Sequence, residues 1–71
     1  MSGLGPRLRE LRQSLKMTQD EVAKCLGISR TTYANYERGH REPDNQMLVQ
    51  LAECYQVSTD YLLGVQKLRS G

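Results

Sequence analysis

Three features are scarce in this 71-residue chain, and each scarcity excludes a class of function. No apolar run approaches the roughly 20 residues that a membrane-spanning helix needs. The opening stretch MSGLG also lacks the apolar segment of a signal peptide, so no membrane role is expected and a soluble, cytoplasmic protein is. Histidine occurs once, at His40, between glycine and arginine in a polar stretch that ends at Pro43. Any Ser-His-Asp or Cys-His arrangement would have to use that residue, and no nucleophile motif accompanies it, so an enzyme is not expected. Cysteine occurs twice, at Cys25 and Cys54, far apart and without the neighbours that zinc or CxxC chemistry requires. The two read as reduced, semi-buried small side chains, with a bridge between them the less favoured alternative. Neither metal nor cofactor is expected.

What is present points to a small helical domain. Apolar residues make up 38% of the chain, enough for a globular core but not a large one, and a helical bundle builds such a core most economically. Repeats and strand-like alternation are absent from the sequence. Net charge is only +2, yet residues 1–41 hold eight Lys/Arg against four Asp/Glu, while residues 42–71 hold two against four. The basic excess therefore lies in the first part of the chain, where phosphates would be met.

The stretch Thr18–Gly39, TQDEVAKCLGISRTTYANYERG, organises the rest. Thr18 and Glu21 form a T-x-x-E capping box. Val22, Ala23 and Leu26 recur at the spacing of one buried helical face. Gly27 suits a tight turn that needs positive φ, and Ser29 caps a second helix that turns Tyr33 and Tyr36 inward and stops at Gly39. Small residues at Ala23 and Gly27 let the two helices approach closely. An ordinary helical hairpin would not need both, so the pattern reads as a helix-turn-helix, whose second helix can enter the DNA major groove.

Around that unit the chain falls into order. Residues 1–5 are expected as a flexible arm, 6–64 as the domain and 65–71 as a tail or linker. Pro6 opens a first helix whose apolar stripe is Leu8, Leu11 and Leu15. Met17 should be buried in the connection. Arg12 lies just off the stripe, and Glu37 is the carboxylate expected to meet it. Pro43 ends the loop after Gly39. Asp44 caps a fourth helix carrying Leu48, Leu51, Ala52 and Tyr55 inward; Ser58 caps a short fifth helix, Thr59 to Leu63, which ends at Gly64.

On the second helix of the motif, 100° steps set Tyr33 and Tyr36 on one side and Thr31, Asn35 and Arg38 on the other, with Ala34 flanking the outward face and Arg30 able to reach round. Such a set suits a groove: arginine binds guanine, asparagine adenine, and threonine offers a hydroxyl and a methyl. Gln19 begins the preceding helix, where amide and helix terminus together can hold a phosphate. Arg38, His40, Arg41 and Asn45 are candidates for the sugar-phosphate backbone, and Ser29 and Thr32 for phosphate or backbone.

From Leu8 to Leu63 the chain resembles the DNA-binding domain of phage repressor and Cro-type proteins, the XRE family. The resemblance rests on LRELR at 8–12, TQDEVA at 18–23, LGIS at 26–29, YERG at 36–39 with Arg41 and Pro43, LVQLAE at 48–53 and VSTDYLLG at 57–64. It implies an all-α, compact five-helix bundle with a central helix-turn-helix. It also implies a structural pairing of Arg12 with Glu37, base-reading roles for Arg30, Thr31 and Asn35, and a phosphate-holding, buttressing role for Gln19. The chain departs from the pattern at Tyr33, often aliphatic in the family, so its ring is expected to reach past the core toward DNA. Glu42 and Asp44 weaken the positive field beside the loop.

The function expected is a sequence-specific double-stranded DNA-binding transcriptional regulator, a repressor acting as a dimer on a palindromic operator. Leu63, Val65 and Leu68 are the candidate dimer surface. A module that holds a protein partner or co-regulator, as an antitoxin or adaptor does, is the competing class.

Overall fold

The computed structural model describes residues 3–64. Five helices follow one another: α1 (Leu4–Ser14), α2 (Gln19–Leu26), α3 (Arg30–Arg38), α4 (Asn45–Tyr55) and α5 (Thr59–Leu63), with no strand among the described residues. The expected all-α five-helix bundle is therefore the observed one.

Local chemistry sets the boundaries. At the start of α2, α3, α4 and α5 a side-chain oxygen accepts the backbone N–H three residues on: Thr18 from Glu21, Ser29 from Thr32, Asp44 from Met47 and Ser58 from Tyr61. At α2 the Glu21 carboxylate accepts the Thr18 N–H in return at 2.9 Å, completing the capping box. The helix ends share one device as well. Lys16, Gly27, Gly39 and Gln56 all have positive φ, and the following residue donates its N–H back five positions, to Arg12, Ala23, Asn35 and Ala52 respectively. After Lys16, Gly27 and Gln56 that following residue is apolar (Met17, Ile28, Val57) and packs on the core; after Gly39 it is the exposed His40.

The core is formed by Leu8, Val22, Ala23, Leu26, Tyr33, Tyr36, Leu51, Ala52, Tyr55 and Leu62, all buried. Helix α3 lies against both α1 and α2; α4 joins α2 to α5, and α5 closes back on α1. Ala23 is 1% exposed, so the first helix of the motif has no room for a larger side chain there.

Several expectations need correction. Leu4 and Gly5, assigned to an arm over residues 1–5, are helical, and Gly5 is buried; residues 1 and 2 of that arm lie outside the described residues. A Cβ on Gly5 would stand 2.5 Å from the Glu37 carbonyl oxygen and 3.1 Å from that of Tyr36, so α1 begins where its backbone rests directly on the end of α3. Leu15 is 49% exposed, because α1 stops at Ser14 and Leu15 falls beyond the apolar stripe. Met17 is only partly buried. Tyr33 does not reach past the core; it is fully buried, and its hydroxyl shares a 2.6 Å hydrogen bond with that of Tyr55. Ala34, expected to flank the outward face, is buried too, at 7% exposed.

The cysteines are the largest departure. Cys25 and Cys54 are joined in a disulfide, with their Cα atoms 6.3 Å apart, rather than standing as separate thiols. Helices α2 and α4 pack side by side, and that packing brings together residues whose separation in sequence gave no sign of pairing.

Candidate nucleic-acid interface

Helix α3 is sharply two-sided. Tyr33, Ala34 and Tyr36 are buried, whereas Arg30, Thr31 and Arg38 are exposed and Thr32 and Asn35 are half-buried. A buried face bearing two tyrosines fixes the roll of the helix, and the polar edge follows from it. Arg30, Thr31, Asn35 and Arg38 thus share one accessible edge, with the exposed His40 and Arg41 in the loop beyond it. Asn45 is exposed at the start of α4.

Ser29 and Thr32 are engaged with one another. The Ser29 hydroxyl accepts the Thr32 N–H at 3.1 Å and shares a second hydrogen bond with the Thr32 hydroxyl at 3.0 Å. Both hold the start of α3 in place.

Behind the accessible edge stands a polar cluster that ties three helices together. Arg12 Nε donates to Glu37 Oε2 at 2.7 Å and Nη2 to Oε1 at 3.3 Å, a two-pronged contact. Arg12 Nη1 donates to the Met17 carbonyl at 3.1 Å, so one guanidinium braces both the α1–α2 turn and α3. Gln19 Nε2 donates to Glu37 Oε1 at 3.0 Å. The structure therefore places Gln19 against α3 through its side chain. The Thr18 cap takes the Glu21 N–H, and the Gln19 and Asp20 amides at the start of α2 have no acceptor within the helix.

Electrostatics follow this geometry. Burial pushes the Glu37 carboxyl up, but hydrogen bonds from Arg12, Tyr33 and Gln19 outweigh it, and the group sits below its ordinary value of 4.5. The hydrogen bond to Glu37 raises the Arg12 guanidinium, against an opposing effect of burial. Burial raises both tyrosine hydroxyls of the core, that of Tyr55 to about 12. Glu37 is thus ionised and Tyr33 and Tyr55 neutral at neutral pH, so α3 rests on a fixed charge pattern. No pattern in the chain announces the Tyr33–Tyr55 pair or the close seat of Gly5; only the glycine itself, ahead of Pro6, is visible there.

No group of His, Cys, Asp and Glu side chains among the described residues can hold a metal ion, and no described helix is long and apolar enough to cross a membrane. The arrangement presents a polar edge; it does not assemble a nucleophile with a base.

Comparison with known proteins identifies the architecture. A family model described as helix-turn-helix matches residues 8–62. The HTH-type transcriptional regulator ImmR of Bacillus subtilis strain 168 is 51% identical over 61 residues, which is 86% of this chain and 48% of that protein. Repressor protein C2 of Salmonella phage P22 is 37% identical over 60 residues, 84% of this chain and 28% of that one. Among solved structures, the P22 c2 repressor in complex with a synthetic operator matches with a TM-score of 0.84 at 34% identity, covering 92% of this chain and 98% of that one. The DNA-binding domain of the same repressor in solution gives a TM-score of 0.85 at 32% identity, covering 100% of this chain and 96% of that one. The chain spans about half the length of the Bacillus regulator it matches. With a matching model over most of its length and these folds superposing on its own, the chain belongs to the helix-turn-helix family of phage-repressor, XRE type.

Proposed function

We propose that this chain acts as a sequence-specific transcriptional regulator that reads double-stranded DNA with α3. The observation that carries this reading is the two-sidedness of that helix: tyrosines locked inward, and Arg30, Thr31, Asn35 and Arg38 on the accessible edge. The P22 c2 repressor, whose fold it shares, was solved bound to an operator. In this reading Arg30, Thr31 and Asn35 contact bases, because arginine and asparagine make two-point hydrogen bonds to purines and threonine meets the thymine methyl. Gln19, Ser29, Thr32, Arg38, His40, Arg41 and Asn45 contact the phosphate backbone and set the register. Arg12, Ala23, Gly27 and Glu37 hold the two helices of the motif in place.

The regulator is a repressor in this reading, acting in the cytoplasm as a dimer on a palindromic operator whose half-sites lie roughly 34–36 Å apart. Leu63, 52% exposed on α5, is the described part of the proposed dimer surface. Val65 and Leu68, assigned to the same surface from the sequence, lie outside the described residues.

Selection of bound duplexes from a random pool tests the reading, followed by a salt titration on the selected site. A palindromic consensus is expected, with log K falling against log salt at about −0.9 per neutralised phosphate. Absence of binding at low salt would instead favour a module that holds a protein co-regulator.

A further inference from the structure

The fold carries a chemically reactive feature on α2 and α4, outside α3 itself. The disulfide joins Cys25, in the last turn of α2, to Cys54, in the last turn of α4. Cys25 is exposed and Cys54 half-buried. The two cysteines line an open groove of about 440 Å³, with Lys24 at one side and Gln50 and Glu53 at the other. Lys24 is itself exposed, its nearest acidic neighbour being Asp20 at 4.0 Å, so its ammonium can turn toward a ligand.

The core does not depend on this bond. Val22 and Leu26 from α2, and Leu51, Ala52 and Tyr55 from α4, are buried in the common apolar cluster, and each helix has its own N-cap. None of those apolar contacts runs through the bond, although Cys54 itself packs against the cluster. What opening the bond removes is a covalent closure of the segment from residue 26 to 53, which contains the turn, the whole of α3 and most of α4.

We propose that Cys25 and Cys54 form a thiol–disulfide exchange site for small zwitterionic thiols and their disulfides, with Cys25 the sulfur attacked and the groove between Lys24 and Glu53 the place they occupy. Lys24 meets a carboxylate of the incoming molecule and Glu53 its ammonium group. In the opening direction a thiolate attacks Cys25 Sγ. The Cys25–Cys54 bond breaks, a mixed disulfide forms on Cys25, and Cys54 leaves as a thiolate that takes a proton from water. A second small thiolate then attacks the outer sulfur of the mixed disulfide. It departs as the small disulfide, and Cys25 is freed and protonated. Two small thiols are oxidised to one disulfide while the protein disulfide is reduced to two thiols; the reverse sequence closes the bond. The state of the bond sets how often the α3 segment opens, because a cross-link acts chiefly by restricting the open chain. It leaves the polar edge of α3 untouched, so this inference stands apart from the DNA-binding reading.

The test equilibrates the full chain in mixtures of reduced and oxidised glutathione, quenches with acid and counts free thiols by alkylation and mass spectrometry. A reversible two-thiol transition is expected. In Cys54→Ser, oxidised glutathione should be captured on Cys25 several-fold faster than it is captured on Cys54 in Cys25→Ser. Lys24→Glu in the Cys54→Ser background should slow capture of glutathione but not of the uncharged hydroxyethyl disulfide. Limited proteolysis should cut the 26–53 segment several-fold faster in the reduced chain. The double variant Cys25→Ser/Cys54→Ser should be cut at the reduced rate whatever the glutathione ratio. Thiols that stay free in excess oxidised glutathione would overturn the proposal, as would equal capture at the two cysteines or equal proteolysis of the two forms.

Discussion

Asn35 and Gln19 make different kinds of contact in the proposed complex, and single substitutions separate them. Asn35 is half-buried on the accessible edge of α3, and its amide can pair with only one base edge at a time. Replacing Asn35 or Arg30 by alanine should cost about 1–3 kcal/mol on the selected site and flatten the preference at one base position. Gln19→Ala should weaken selected and random duplexes alike, and it also removes a hydrogen bond to Glu37. Competition binding on the two duplexes measures the difference; equal losses for Asn35→Ala would show that α3 reads no base there. Gly5 gives a prediction about stability. Because an added methyl would meet backbone carbonyls rather than a side chain, nothing nearby can move aside cheaply. Gly5→Ala should therefore cost about 1–3 kcal/mol through overpacking, despite the better helix propensity of alanine. A thermal melt showing no loss would mean that α1 is free to shift on α3.

At the scale of elements, the helix boundaries were the most legible part of the chain. Thr18, Ser29, Asp44 and Ser58 are residues whose side chains compete for backbone N–H groups, so each announces a helix start in the sequence alone. Gly27, Gly39 and Gly64 announce stops for the converse reason, being free to take positive φ. Lys16 and Gln56 take the same conformation at φ 59° without being glycine, and no local signal marks them. Leu15 fits the spacing of the stripe, but α1 stops at Ser14 and Leu15 already falls in the turn that Lys16 completes. The place of Tyr33 is not legible because a tyrosine tip can lie at either end of a core, and only the fold supplies Tyr55 as its partner. The disulfide was hidden because it depends on how α2 and α4 pack, which pattern and spacing do not encode. Gln56 yields a prediction at this scale. A non-glycine residue in the left-handed region costs roughly 1–2 kcal/mol, partly offset by the greater chain entropy glycine would lose. Gln56→Gly should stabilise the domain by about 0.5–1 kcal/mol, raising Tm by roughly 2–8 °C at this size. A fall in Tm would show that the Gln56 side chain has a favourable role in the cap.

For the molecule as a whole, the Arg12–Glu37–Gln19 cluster makes the relation between α1, α2 and α3 depend on one charge. Glu37 has a folded-state pKa below its ordinary value of 4.5, so it contributes stability that is fully present above 4.5. That contribution is lost as pH falls through the depressed folded value, where the unfolded chain already holds the proton. The alkaline side has the opposite sign. Tyr55 is raised from 10.0 to about 12, so its contribution is present below pH 10 and lost as pH rises toward 12. Denaturant melts across the pH range should therefore show a plateau between these limits, with a fall at each end. Glu37→Gln removes the acidic titration but keeps the shape of the side chain, while leaving the Arg12 guanidinium without its counter-charge. It should lower stability at neutral pH by roughly 1–3 kcal/mol, as expected when a half-buried, hydrogen-bonded charge loses its partner. It should also flatten the dependence on pH below 4.5, because the titrating group has gone. If the variant kept the full acidic slope of the parent, the charge holding α3 against α1 and α2 would have to be some other carboxylate. The polar edge of α3 would then owe its orientation to that carboxylate and to the buried tyrosine face, not to Glu37.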